Sequence, residues 1–135
     1  MMELQIIGLK YFNVYGEREF FKGKTSSMIL QLGHQILSNK SPRLFIDSDK
    51  IMRDFIYIKD VVHATLLACN PVINGVYNVG TGVSRSFLDI VTILQKELGT
   101  NLTVDYFENP HSNYQMNTQA DISLSEKYLK YSPKY

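Results

Sequence analysis

Short apolar runs of strand length alternate along this chain with amphipathic segments of helical period, and that alternation constrains the fold more than any other feature. Residues 4–9, 43–46, 51–58, 75–79 and 102–107 read as strands. Residues 25–38 read as a helix whose Met28, Ile29, Leu32, Ile36 and Leu37 form one stripe, with hydroxyl caps offered by Thr25-Ser26-Ser27. A second helix is expected from Val61 to about Cys69, capped by Asp60 and stopped by Asn70-Pro71. A third opens on the Ser86/Asp89 capping box, presents Phe87, Ile90, Val91, Leu94 and Leu98, and closes at Gly99. Residues 122–129 read as a short last helix after a polar loop over 108–118. The reading is α/β.

Composition excludes several classes. At 135 residues the chain is one domain at most, large enough to bury about two-thirds of its unfolded surface. A formal net charge of +1 gives no broad electrostatic case for nucleic acid or an anionic membrane. With Cys69 as the only cysteine, an intrachain disulfide is impossible and a reducing compartment fits. No apolar run approaches a membrane span, and Met1-Met2-Glu3 lacks a basic signal-like start, so a cytoplasmic location is expected. His34, His63 and His111 are widely spaced without thiolate companions, so no metal site is expected. No Gly-x-Ser-x-Gly nucleophile elbow occurs. Gly80-Thr81-Gly82 lacks the third glycine of a dinucleotide loop and reads as a turn.

The candidate site begins where the first strand leaves the sheet. Lys10-Tyr11-Phe12-Asn13-Val14-Tyr15-Gly16 is followed by Glu17, Arg18, Glu19, Phe20, Phe21, Lys22, Gly23 and Lys24, a charged loop feeding a helix. Gly16 supplies the backbone freedom for a sharp exit. In open α/β sheets ligands bind beyond the carboxyl ends of strands, which makes this loop the natural place for chemistry. On spacing alone, a solvated charged turn remains the competing reading.

The segment from Lys10 to Gly16, with Arg18-Glu19, resembles the RYFNVYGPRE motif of the extended short-chain dehydrogenase/reductases, the family of nucleotide-sugar epimerases and dehydratases. Lys22-Gly23, Leu44-Phe45, the Arg53-to-Val61 stretch, Asn78-Val79-Gly80-Thr81-Gly82 and Tyr114-Gln115 with Thr118-Gln119-Ala120-Asp121 continue it. Their order is similar to that of the ADP-glycero-manno-heptose 6-epimerases, over nearly all of this chain but only the carboxyl-terminal half of those enzymes. The Lys22 loop, the expected hairpin over residues 45–53 and the Tyr114 segment carry the finer resemblance.

That resemblance implies the carboxyl-terminal part of a Rossmann-type fold with a small α/β substrate-binding lobe, residues 1–135 forming a single partial domain. It implies NADP as cofactor and an ADP-heptose sugar nucleotide as substrate, inverted at C6 for lipopolysaccharide core assembly. Lys22 corresponds to an acid/base lysine that also meets the cofactor, and Val14 to a cofactor contact. Acid/base groups on both sides of a carbinol carbon are what inversion through a ketone requires. Asn13, Lys24, Gln31, Phe45, Ile46, Asp47, Ser48, Arg53 and Tyr114 match substrate-contacting positions. Arg53 would pair a diphosphate through its planar fork. Lys24 and Gln31 stand where Ser and His are usual, Ile46-Asp47 where Glu-Gly is usual, and Glu17 where proline is usual. The glycine-rich fingerprint and the Tyr-x-x-x-Lys pair of the family's upstream half are not in this sequence. The chain is therefore expected to need that half as a partner and to be inactive alone; the resemblance also implies a homo-oligomer in the complete enzyme. Another nucleotide-sugar 4-epimerase or dehydratase, or a non-catalytic sugar-nucleotide-binding remnant, are the alternatives.

Overall fold

The computed structural model describes residues 4–70 and 73–135. The chain divides into two compact units. The first holds the described residues up to Glu17 with those of Asp54–Val83 and Gln119–Tyr135; the second holds Arg18–Arg53 and Ser84–Thr118.

In the first unit, β1 (Ile7–Tyr11) and β5 (Gly75–Val79) pair in parallel, with Leu9 opposite Tyr77 and Tyr11 opposite Val79. β2 (Asn13–Tyr15) pairs in parallel with the later part of β4 (Met52–Tyr57), Val14 opposite Ile56. Parallel partners need long crossovers, here supplied by helices, which is the α/β arrangement expected. Helix α2 (Ile58–Leu67) follows β4 directly. Ile56, Val61, Ala64, Tyr77, Val79, Leu129 and Tyr131 form the core, with Ile7, Leu9 and Val14 against it. Tyr131 lies on the closing turn after Ser125–Leu129, and its hydroxyl donates to Gly80 O at 2.8 Å.

In the second unit, a 3-10 segment (Glu19–Thr25) leads into α1 (Met28–Leu37). Strand β3 (Arg43–Phe45) pairs in parallel with β7 (Asp105–Phe107). β6 (Ser84–Ser86) runs into α3 (Phe87–Leu98), which packs on α1. Leu32, Ile36, Leu44, Ile51, Phe87, Ile90 and Val91 are buried.

The expected caps form. Ser27 Oγ accepts from Leu30 N at 3.2 Å, Ser86 and Asp89 make a complete capping box, and Gly99 closes α3 at φ 64°.

Other expectations change. The first strand starts at Ile7, leaving Leu4 and Ile6 exposed, because its ladder with β5 ends where Gly75 N donates to Ile6 O. Residues 43–46 and 51–58 do not form a hairpin: β3 takes β7 as its partner and β4 takes β2, although the intervening turn exists, with Lys50 N donating to Asp47 O. Asp60 is not a cap. Tyr57 precedes the helix in extended conformation, and the buried Asp60 carboxylate accepts from Lys134 N and Tyr135 N at 3.0 and 3.1 Å. Only Asp105–Phe107 of the last expected strand pairs, matching the three residues β3 offers. The final helix is mostly a π-turn. Pro71, the expected stop for the second helix, lies outside the described residues.

Candidate functional site

Within the second unit, Met28, Gln31, Gln35, Arg43, Leu44, Phe45, Phe87, Phe107, His111 and Tyr114 line a cavity of about 340 Å³. The β3–β7 register creates it by setting Phe45 opposite Phe107, whose rings meet edge to face at 4.9 Å. Tyr114 stands edge-on to Phe45 at 5.4 Å, and His111 stacks on Tyr114 at 6.1 Å. Arg43 lies over the Phe107 ring at 4.5 Å, held by Asp105 at 3.0 Å.

Arg53, buried on β4, packs its guanidinium 5.2 Å from the Tyr114 ring and 5.8 Å from Phe87. Two N–H groups donate to Met52 O and Gln115 O at 2.8 and 2.5 Å, which orients the fork. An arginine has five such donors, so the oriented fork keeps capacity for an anion. A braced planar cation next to an aromatic cavity suits a ligand that joins negative charge to a flat ring.

Lys22 sits exposed in the 3-10 segment, flanked by the exposed Phe20 and Phe21, whose rings lie 4.1 Å apart. This segment is the expected charged loop, kinked at Gly23, where φ 53° and ψ −122° break the helix. Lys22 O accepts from Thr25 Oγ1 at 2.8 Å, and Gln31 Nε2 donates to Ser26 O at 2.8 Å and Lys24 O at 3.4 Å. Gln31 therefore lines the cavity and also fixes the backbone beside Lys24, whose side chain is exposed.

Ile46, Asp47 and Ser48 do not line the cavity. Ile46 N donates to Phe107 O, and Asp47 takes φ 67° and pairs with Lys50 at 2.7 Å. That hydrogen bond, with the charges of Asp47 and Asp49, raises the Lys50 pKa above its ordinary value. Ser48 is buried, and its hydroxyl has no hydrogen-bond partner among the described residues.

Asn13 and Val14 belong to the first unit, Asn13 exposed and Val14 half-buried on β2 just before Gly16. Gly16 needs its glycine. Its φ is 146°, and a Cβ there would lie 2.4 Å from Ile58 Cγ2. Glu17, in the usual proline position, accepts from the Tyr57 hydroxyl at 2.6 Å and lies 3.9 Å from Lys59 Nζ. This bond to a carboxylate pushes the Tyr57 pKa up to about 12.

Phe107, His111, Gln35, Arg43 and Phe87 escaped the sequence reading as site residues. The aromatic content of the last strand, and Asp105 as an acidic partner in search of a cation, were the available signals. Among the described residues no group of histidines, cysteines and carboxylates could hold a metal, and no helix is long and apolar enough to cross a membrane.

The model of the NAD dependent epimerase/dehydratase family matches residues 1–80. ADP-L-glycero-D-manno-heptose-6-epimerase from Helicobacter pylori is 43% identical, covers 96% of this chain and 39% of its own, and superposes with a TM-score of 0.85. UDP-glucuronic acid 4-epimerase from Bacillus cereus, solved with UDP-glucuronic acid and NAD, is 31% identical over 98% of this chain and 41% of its own, with a TM-score of 0.82. UDP-N-acetylglucosamine 4-epimerase from Methanobrevibacter ruminantium, solved with UDP-N-acetylmuramic acid, is 30% identical over 97% and 41%, with a TM-score of 0.88. The chain thus spans about two-fifths of the length of these structures. Its parallel α/β fold is the Rossmann-like fold of these enzymes, and the chain belongs to the NAD dependent epimerase/dehydratase family.

Proposed function

We propose that the chain is the sugar-nucleotide-binding portion of an epimerase that inverts C6 of ADP-D-glycero-D-manno-heptose, yielding the L-glycero epimer for lipopolysaccharide core assembly in the cytoplasm. The observation that carries this reading is the 43% identity to the heptose epimerase, against 30–31% to the two UDP-sugar epimerases. The oriented Arg53 fork beside the aromatic cavity supports it, because it offers a diphosphate and a base adjacent chemistry.

In this reading Arg53 holds the diphosphate, while Phe45 and Tyr114 cover the nucleotide end. Asn13, a neutral amide, donates to and accepts from sugar hydroxyls. Lys22 moves a proton at the C6 oxygen from one face, and Lys24 and Gln31 shape the loop that carries it. The roles of Ile46, Asp47 and Ser48 reduce to setting the turn that follows Phe45. NADP, when bound, would supply reversible hydride transfer at C6. Val14, half-buried and apolar, and Lys22, exposed and cationic, fit contacts to such a dinucleotide. The remaining portion of the enzyme would supply the rest of the cofactor site, and the complete enzyme would be a homo-oligomer.

The test is an assay with the amino-terminal portion supplied, offering ADP-D-glycero-D-manno-heptose and UDP-galactose with NADP or NAD and following epimer composition by NMR. Heptose turnover with NADP supports the proposal. The 0.88 superposition on a UDP-sugar 4-epimerase favours a second reading, and turnover of UDP-galactose alone would select it. ADP-heptose binding by calorimetry without any turnover would leave a sugar-nucleotide-binding module.

A further inference from the structure

Asp54 follows Arg53 on β4 and is wholly buried. Its Oδ1 accepts from Thr81 N at 2.8 Å and Thr81 Oγ1 at 2.7 Å. Its Oδ2 accepts from Gly82 N at 2.8 Å and Ala120 N at 3.0 Å. Gly82 and Ala120 are far apart in sequence, yet they share one oxygen atom. Gln119 Nε2 also donates to Gly82 O at 2.7 Å. Between these points runs Ser84–Thr118, the segment carrying Phe87, Phe107, His111 and Tyr114 of the cavity and Gln115, whose carbonyl holds Arg53.

We infer that Asp54 is a positioning residue for the aromatic cavity: by joining Gly82 to Ala120 it closes the neck of the segment that supplies much of the cavity wall. Only a carboxylate can do this here. An ionised carboxyl accepts at both oxygens, whereas an amide replaces one acceptor by an N–H₂. Whichever way an asparagine turned, one set of donors would face another donor. An open neck lets the segment sample more arrangements, which weakens a site whose groups must be held in place. The neck is closely packed at Gly80, where a Cβ would lie 2.5 Å from Ala120 Cβ and 2.9 Å from Asp54 Oδ2.

The inference rests on the proposed function only in using ADP as the probe. The test is hydrogen exchange by mass spectrometry on the chain without ligand, in mild conditions. Asp54→Asn should raise exchange tenfold or more in amides of residues 84–118, with β1, β5 and α2 unchanged. Thr81→Val, which removes one donor to Oδ1 and the Thr81 hydroxyl's bonds with Val83 but keeps both bonds to Oδ2, should leave residues 84–118 as they were. If Asp54→Asn does not fold, Gln119→Ala opens the second closure of the neck and should raise exchange in the same segment. A rise spread evenly over the chain, or none in residues 84–118, overturns the inference. Calorimetry with ADP should then show at least tenfold weaker binding for the neck variant that loosened the segment; undiminished affinity overturns it as well. If the unaltered chain does not bind ADP, the nucleotide reading fails while the exchange pattern still decides the role of Asp54.

Discussion

Glu19 holds Ser27 twice. Its Oε2 accepts from Ser27 N at 2.6 Å and its Oε1 from Ser27 Oγ at 3.0 Å, while Ser27 Oγ accepts in turn from Leu30 N. The 3-10 segment that carries Lys22 is thereby tied at both ends to the start of α1, where a carboxylate also meets the favourable end of the helix dipole.

Glu19→Ala is expected to leave the Ser27 amide without its charged acceptor and to destabilise the chain by about 1–3 kcal/mol. Urea unfolding measures this. The side chain is buried, with 6% exposure, so water cannot fully replace it. An unchanged midpoint would mean that the loop is not held by this pair.

Lys22→Met, in the complete enzyme, is expected to lower turnover by orders of magnitude while leaving the unfolding midpoint unchanged. Lys22 is exposed, and no side chain is bonded to its ammonium among the described residues, so the fold does not depend on it. Single-turnover assays with ADP-heptose check the prediction. Near-normal rates would remove Lys22 from the acid/base role.

Local signals were legible and distant ones were not. The caps at Ser27, Ser86 and Gly99 are written in a few adjacent residues, and each forms. Strand partners depend on residues far away, so the hairpin expected between 43–46 and 51–58 gave way to parallel pairing with β7 and β2. The same pairing explains the site. Phe45, Gln31 and Tyr114, singled out by motif position, line the cavity, but Phe107 and Arg43 do so only because β3 lies beside β7. Asp60 shows the limit most clearly. Its position favoured a helix cap, yet its carboxylate serves the backbone of Lys134 and Tyr135 at the other end of the sequence.

Arg53→Lys keeps the charge but loses the fork that donates to Met52 O and Gln115 O and lies over Tyr114. The expected result is at least tenfold weaker ADP binding, about 1.4 kcal/mol. Calorimetry on the chain measures it. Equal affinity would show that Arg53 acts only as a point charge, or that the anion binds elsewhere.

Two tyrosines should titrate late. Tyr57 is pushed up to about 12, first by donating to the Glu17 carboxylate, and Tyr131 is raised chiefly by burial and then by the charges of Asp60 and Asp54. Both shifts favour the neutral phenol in the folded state. Their stabilising contribution is therefore complete below the ordinary tyrosine pKa of about 10 and is lost as pH rises through the folded values. Ultraviolet absorbance of tyrosinate should show a late phase that shrinks in Tyr57→Phe. If all nine tyrosines ionise together in the folded chain, the Glu17 bond does not form in solution.

Adding one methyl group at two glycines should have opposite effects. At Gly80 a Cβ would lie 2.5 Å from Ala120 Cβ and 2.9 Å from Asp54 Oδ2, both in a buried, hydrogen-bonded place. Gly80→Ala must shift the Ala120 backbone away from the carboxylate, and overpacking of this kind costs about 1–3 kcal/mol. At Gly33, inside α1, a Cβ would meet nothing within 4 Å, and the backbone is helical. Gly33→Ala should stabilise by about 0.5–1 kcal/mol, because alanine loses less backbone freedom on entering a helix. Urea midpoints of the two variants give the comparison. A neutral Gly80→Ala would mean that the turn at the end of β5 is looser than its hydrogen bonds to Asp54 imply, and the closure assigned to that carboxylate would weaken with it.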